Sequence, residues 1–272
     1  MDLGIYSWSD LRELGMGRKQ VNSLLDSGAL RRLRKGWFAT VQAPVPVTRA
    51  VALGGTLGCL SGCEQHGIWT PNRNLHVMLN PGVPVPCVNN DVEVHRLRVA
   101  THQPLAPVMD CLGEVVVRHD AETALIVIES AVEQGLINEP DVNDLIGIAP
   151  TCKRHALAHF TPGAGSGSET RVRYFLQQRR FKVRSQVHIP GVGHVDLLVG
   201  QSLIIECDSK QHHAPQERYR VDRVRDLAAR DLGYNTMRLS YEQIWYTWPQ
   251  TQRSLLAEVA SGRHRRPPLP RM

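Results

Sequence analysis

A chain of 272 residues, 42% hydrophobic and 21% charged, is long enough for two or three compact units and too rich in apolar side chains for wholesale disorder. Its 32 Lys and Arg against 26 Asp and Glu leave a net charge of +6, a mild excess whose meaning depends on where the charges gather. No uncharged apolar run approaches the ~20 residues of a membrane span, since Ala124-Leu125-Ile126-Val127-Ile128 is bounded by Glu122 and Glu129, and six cysteines at irregular spacing, behind a start of Met1-Asp2-Leu3-Gly4 that carries no charged-then-apolar leader, point to free thiols in the cytoplasm.

Residues 1–45 carry a helix–helix–hairpin pattern. Ser7 or Ser9 can cap a short helix over Asp10 to Leu14 that stops at Gly15. A second helix from Arg18 to Asp26 places Val21, Leu24 and Leu25 on one face, leaving Arg18, Lys19, Gln20 and Asn22 near its start or on the open face. Beyond Gly28, Leu30 to Leu33, a turn at Arg34-Lys35-Gly36 and Trp37 to Ala39 predict a hairpin with a basic tip. From Arg18 to Lys35 there are six basic side chains and one acid, Asp26, so attraction for phosphate is concentrated on this unit, with Arg31, Arg34 and Lys35 on the hairpin. A solvated basic face is the plainer alternative. The stretch Gly17-Arg18-Lys19-Gln20-Val21 followed by Gly28 to Ala39 resembles the N-terminal winged helix of the abortive-infection type IV antitoxin family, which implies double-stranded DNA as a partner and a possible toxin partner.

Residues 46–162 are broken by prolines into short pieces, with strands expected at Leu75 to Leu79 and Val92 to Val99 and a helix at Ala121 to Gln134. The resemblance implies a connector domain here. Cys59, Cys63 and His66 have the donor types zinc prefers, but no fourth ligand follows at a suitable spacing, so they are read as buried groups of a packed helix.

The run Gly163-Ala164-Gly165-Ser166-Gly167-Ser168 marks a boundary, after which the pattern is helix, three strands, helix, strand, helix, over 163–262. Ser168 can cap a helix from Glu169 to Arg180, and strands follow at Val183 to Ile189, Val195 to Val199 and Leu203 to Cys207. Asp196 interrupts one apolar strand; Glu206 and Asp208 share a face at the end of the next. Carboxylates ~4 Å apart repel by roughly 4 kcal/mol at an effective dielectric of about 20, and a hard cation such as Mg²⁺ or Mn²⁺ is the natural compensation. Pairing with Arg171, Arg223 or Arg225 is the alternative. The helix from Pro215 to Leu232 is expected to bury Tyr219, Val224, Leu227 and Ala228 and to expose its arginines, and the basic, Pro-rich residues 263–272 are expected to form a loose tail.

Glu169, Val195-Asp196, Ile205-Glu206-Cys207-Asp208 with His213 downstream, Asp222 to Asp226, Gly233-Tyr234 and Met237 to Leu239 together resemble the PD-(D/E)XK nuclease-like family related to the very-short-patch-repair endonuclease, over roughly 165–245. By that resemblance Asp196 and Glu206 bind the metal, Glu169 orients it or holds a second one, and Asp208 supports the cluster. Asp208 stands where the wider superfamily has lysine. His213, beside His212, is therefore the expected proton acceptor, with Lys210 the fallback, and Arg225 is the arginine expected to grip the phosphodiester.

The expectation is an α+β / α/β multidomain protein with an N-terminal winged helix, a small α/β middle domain and a C-terminal restriction-endonuclease-like α/β domain. It implies a Mg²⁺- or Mn²⁺-dependent DNA endonuclease, with a non-catalytic repressor or antitoxin as the alternative, RNA as an alternative substrate and a homodimer as a further partner state.

Overall fold

The computed structural model describes residues 2–71, 74–84, 91–97, 103–208 and 216–269, the side chains of 216–222 excepted. The chain is mixed α and β and divides into two compact units, Met1–Arg118 and His119–Met272. No helix among the described residues is long and apolar enough to cross a membrane.

The first unit begins with β1 (Ile5–Ser7), α1 (Trp8–Glu13), α2 (Arg18–Asp26), β2 (Leu30–Arg34) and β3 (Trp37–Thr40), the strands forming an antiparallel sheet in the order β1-β3-β2. Ser7 caps α1: its hydroxyl accepts from the Asp10 N–H at 3.2 Å while Asp10 Oδ2 accepts from the Ser7 N–H at 2.6 Å, a reciprocal pair contributing about 1 kcal/mol. Leu11, Val21, Leu30 and Phe38 form a small core under these elements. Strand β1 was not expected from the sequence; three residues are too few for a periodic signal.

There follow α3 (Val45–Ala52), β4 (Thr56–Leu57), α4 (Cys59–Gln65), β5 (Leu75–Leu79), β6 (Val92–Arg96) and α5 (Val108–Arg118). The second sheet has the order β4-β5-β6, with β5 and β6 parallel, and β5 is buried at every position. One apolar cluster joins Ile5 and Ala39 of the first sheet to Val77 and Leu79 of the second, so the expected boundary at 45/46 falls inside a continuous core.

The second unit opens with α6 (Ala121–Glu133), α7 (Glu139–Ile148), α8 (Thr151–Leu157) and α9 (Gly167–Gln177). Next come β7 (Val183–Ile189), β8 (Gly193–Val199), β9 (Leu203–Cys207), α10 (Gln216–Asp231), β10 (Asn235–Leu239), α11 (Tyr241–Trp245) and α12 (Trp248–Ala260), closed by a short 3₁₀ turn at Arg263–Arg265. The sheet order is β10-β9-β8-β7, with β10 parallel to β9 and the other neighbours antiparallel. Val172, Phe175 and Leu176 of α9 and Leu255 and Val259 of α12 pack with Leu197, Val199, Leu203 and Ile205, while Ala229 packs with Val195, Leu198 and Ile204 in a second cluster.

Three local expectations are corrected. The cap of α9 is Ser166, whose hydroxyl accepts from the Glu169 N–H at 3.2 Å; Ser168 lies inside the helix and accepts from Trp245 Nε1 at 2.9 Å. In α10, Val224 and Leu227 are 66% and 61% exposed, because Ala229 and Ala228 supply the packed side; Tyr219 lies among the residues whose side chains are not described. Residues 263–269 are docked rather than loose: Gln201 N–H donates to the His264 carbonyl at 2.8 Å, Ser202 Oγ to Arg263 O at 3.2 Å and Leu269 N–H to Leu232 O at 2.8 Å. Gly200 makes this possible, since with φ +61° it adopts a left-handed turn and a Cβ there would sit 2.5 Å from the His264 carbonyl oxygen.

Candidate active site

Asp196 lies on β8 one step beyond the pair Leu197↔Ile205, which sets it opposite Glu206 on β9. The Asp196 N–H faces Glu206 Oε2 at 3.4 Å, and Asp196 Oδ2 accepts from the Cys207 N–H at 2.8 Å. On the far side of β8, the pairs Ser185↔Leu197 and Val187↔Val195 bracket Gln186 against Asp196; on the far side of β9, Arg238 of β10 pairs with Glu206. Four polar residues, Gln186, Asp196, Glu206 and Arg238, thus form one row across the sheet.

Glu169 reaches this row from the first turn of α9, which packs on β7 and β8. It is 5% exposed, and its oxygens accept from Gly165 N–H at 3.1 Å, Ser166 Oγ at 3.1 Å and Gln186 Nε2 at 2.7 Å. Burial first, and the charge of Asp196 second, push its carboxyl up to about 7 against those hydrogen bonds. Glu206 is likewise pushed up to about 7 by burial and by Asp196, with Arg225 opposing. Two buried acids therefore feel the same third carboxylate.

Gln186 is the residue that sequence reasoning missed. Its φ of +50° puts a non-glycine residue in the left-handed region at the position beside Asp196, and strain of this kind collects where a side chain has to be aimed. Its amide is aimed at Glu169. A polar residue in an alternating strand carries no signal of that role. His188 and His194 form a cross-strand pair, ring centroids 4.9 Å apart, that strand alternation alone does not announce; both are exposed, and His194 is two residues from Asp196.

The remaining expected site residues divide. Asp208, just past β9, is half-exposed and lies 4.0 Å from Arg238 Nη1, while Arg238 Nη2 holds Asp226 at 2.8 Å. Arg225 donates through Nε to the Val192 carbonyl at 2.9 Å and through Nη2 to the His194 carbonyl, and stands 3.5 Å from Glu206 Oε1, so it braces the β7–β8 turn beside the acids. His213, with His212 and Lys210, lies outside the described residues. Among the described residues, Glu169, Asp196 and Glu206 are not a group whose oxygens all lie within 4.8 Å of one another. Their all-oxygen donor set nonetheless fits a hard divalent ion, which would offset the burial and the Asp196 charge that lift Glu169 and Glu206.

The raised carboxyl at Glu169 has a measurable consequence. Between pH ~4.5 and ~7 the native state keeps a proton that the unfolded chain releases, so stability falls as pH rises through that window and stays lower above it. Glu169→Gln removes this loss. In chelator, the stability of the variant relative to the native chain is expected to improve by on the order of 2 kcal/mol between pH 5 and pH 8; urea unfolding at the two pH values measures it, and an unchanged difference would show that Glu169 titrates normally.

In the first unit, Arg18, Lys19, Asn22, Arg31 and Lys35 are all exposed. Gln20, also exposed, is partly committed, its Oε1 accepting from the Gly17 N–H at 2.7 Å to cap α2. Arg34 is half-buried and stacks its guanidinium 5.5 Å from the Trp37 ring centre, which leaves Arg31 and Lys35 as the freer cations of the hairpin. Cys63 and His66 are held separately from Cys59: His66 Nε2 meets the Ala106 carbonyl at 2.8 Å, and Cys63 hydrogen-bonds Cys111. No family model matches the chain, and no curated protein matches it.

Proposed function

We propose that the chain is a Mg²⁺- or Mn²⁺-dependent DNA endonuclease, in which a winged-helix-like N-terminal segment brings the protein to duplex DNA and a PD-(D/E)XK-like C-terminal domain hydrolyses the phosphodiester. The observation that carries this reading is that Asp196 stands opposite Glu206 on paired strands while Glu169, from α9, is hydrogen-bonded to Gln186 in the same row. Asp196 and Glu206 would hold the ion, and Glu169, aimed by Gln186 and Ser166, would orient its shell. A divalent ion there supplies an acidified water and a counter-charge for the phosphoryl oxygens. The chain's own part is to aim the carboxylates and, through Arg225 and Arg238, to keep positive charge beside them.

Nicking of supercoiled plasmid by the full chain in Mg²⁺ or Mn²⁺, and its absence in chelator, is the test. A second reading, a non-catalytic DNA-binding repressor or antitoxin, is favoured by the Arg225 guanidinium beside Glu206, which partly neutralises the acid without an ion. Binding to the protein's own promoter with no cleavage in either metal would select it. Both readings share the DNA contact. Arg18→Ala with Lys19→Ala is expected to weaken binding about tenfold and to flatten the log K against log salt slope by about 1 to 2 units, measured by fluorescence anisotropy across a salt series.

A further inference from the structure

In the first unit a second group of chemistry-bearing side chains comes together, far from the acids in sequence. Cys59, His76 and His95 each offer a ligand atom within 4.8 Å of the others, and all three residues are buried. The fold explains the convergence. His76 of β5 pairs with Glu93 of β6, so His95, two residues on, shares its face, and the two rings lie 5.1 Å apart. Cys59 opens α4, which is tied to β5 by the His76 N–H donating to Ser61 Oγ at 2.9 Å. Gly58 lets that helix start lie against the strand, since a Cβ there would sit 1.8 Å from the Met78 sulfur.

We propose that Cys59, His76 and His95 form a binding site for a zinc-class divalent transition ion that staples α4, β5 and β6 together. One thiolate and two imidazoles are the donor set such an ion prefers, and they are the wrong set for Mg²⁺ or Mn²⁺. The outer shell is already in place. Glu114 of α5 lies 3.2 Å from His95 Nδ1; a carboxylate only accepts, so the proton sits on Nδ1 and the Nε2 lone pair is presented inward. His95 Nε2 and His76 Nδ1 face each other at 2.9 Å, and tetrahedral zinc needs its nitrogens about 3.3 Å apart, a small opening. A dication and the Arg118 guanidinium, 3.6 Å from Glu114, are matched by one thiolate and the carboxylates of Glu114 and Glu93, the latter 3.7 Å from His76 Nδ1, so no net charge is left beside Cys59 and His76, both 0% exposed.

A hydrogen-bond chain from His76 through His95 to Glu114 accounts for the imidazoles alone. The sulfur of Cys59 lies beside that chain, and Cys59 holds φ +50°, a conformation that L residues rarely adopt. The fourth corner of the ion falls to water. The inference is independent of the nuclease reading.

The full chain, purified with zinc and desalted, is expected to hold about one equivalent by elemental analysis, and to show a thiolate-to-cobalt charge-transfer band when Co²⁺ replaces it. Cys59→Ser should remove that band and Cys63→Ser should keep it, with an excess of Mg²⁺ leaving both results unchanged. Glu114→Gln removes no ligand and is expected to weaken zinc retention about 10- to 100-fold in chelator competition. Uptake by the native chain below about a tenth of an equivalent, a cobalt complex without the thiolate band, or a band that survives Cys59→Ser overturns the site. Should Cys59→Ser fail to fold, the native cobalt spectrum and Glu114→Gln decide, because the first reports sulfur directly and the second leaves every ligand in place.

Discussion

Nicking of supercoiled DNA by Asp196→Asn is expected to fall about a thousandfold or more, equivalent to roughly 4 kcal/mol on the barrier, with DNA binding unchanged. Asparagine is the informative replacement because its carbonyl can still accept the Cys207 N–H that Asp196 Oδ2 now accepts at 2.8 Å, so the β8–β9 pairing survives while the anion is lost. The same change removes the charge that helps to lift Glu169 and Glu206, and both carboxyls should ionise more readily in the variant. Glu206→Gln is expected to behave alike in the nicking assay. A variant that cuts at the native rate would move the chemistry to another site. One that cuts slowly and also loses DNA affinity would mean that the acids act on folding.

Glu129→Ala is expected to cost about 3 to 5 kcal/mol of stability, the largest loss foreseen for any single change in the second unit. Glu129 and Arg173 have side chains 1% exposed and form an ion pair between α6 and α9. Glu129 also accepts from Thr170 Oγ1 at 2.5 Å and from the Thr161 N–H at 2.9 Å, so truncation leaves a buried guanidinium and a buried amide short of partners. Urea unfolding measures the loss. Replacing both members together, Glu129→Leu with Arg173→Met, is expected to cost far less, since the penalty lies in the stranded charge rather than in the missing attraction. Because α9 carries Glu169, loosening this pair should also blur the acid row, and activity should fall in step with stability.

Legibility followed the range of the physics. Local signals located α2 at Arg18–Asp26, β5 at Leu75–Leu79, β7 at Val183–Ile189 and β9 at Leu203–Cys207, because periodicity, turn glycines and apolar runs act within a few residues. The facing of Asp196 and Glu206 was within reach of the same reasoning, since a tight turn between two strands leaves few registers. What escaped depends on distant pairings. Val224 and Leu227 have the spacing of a buried stripe, yet Ala228 and Ala229 are what the sheet packs against, and only the tertiary fit decides between faces of a helix. Cys59 has Cys63 and His66 as its neighbours in sequence, whereas the imidazoles beside it come from His76 and His95, brought there by a parallel strand pair that no local pattern announces. The aim of Gln186 at Glu169 is of the same kind.

The docked segment after α12 has a practical corollary. Its carbonyls at Arg263, His264 and Arg265 receive the turn between β8 and β9, His264 lies edge-on to Phe181 at 5.7 Å, and Leu269 is pinned to the end of α10. Shortening the polypeptide to Ala260 would therefore unbutton the hairpin that presents Asp196 and Glu206, whereas an affinity tag appended beyond Leu269 departs from an anchored point and leaves that hairpin clasped.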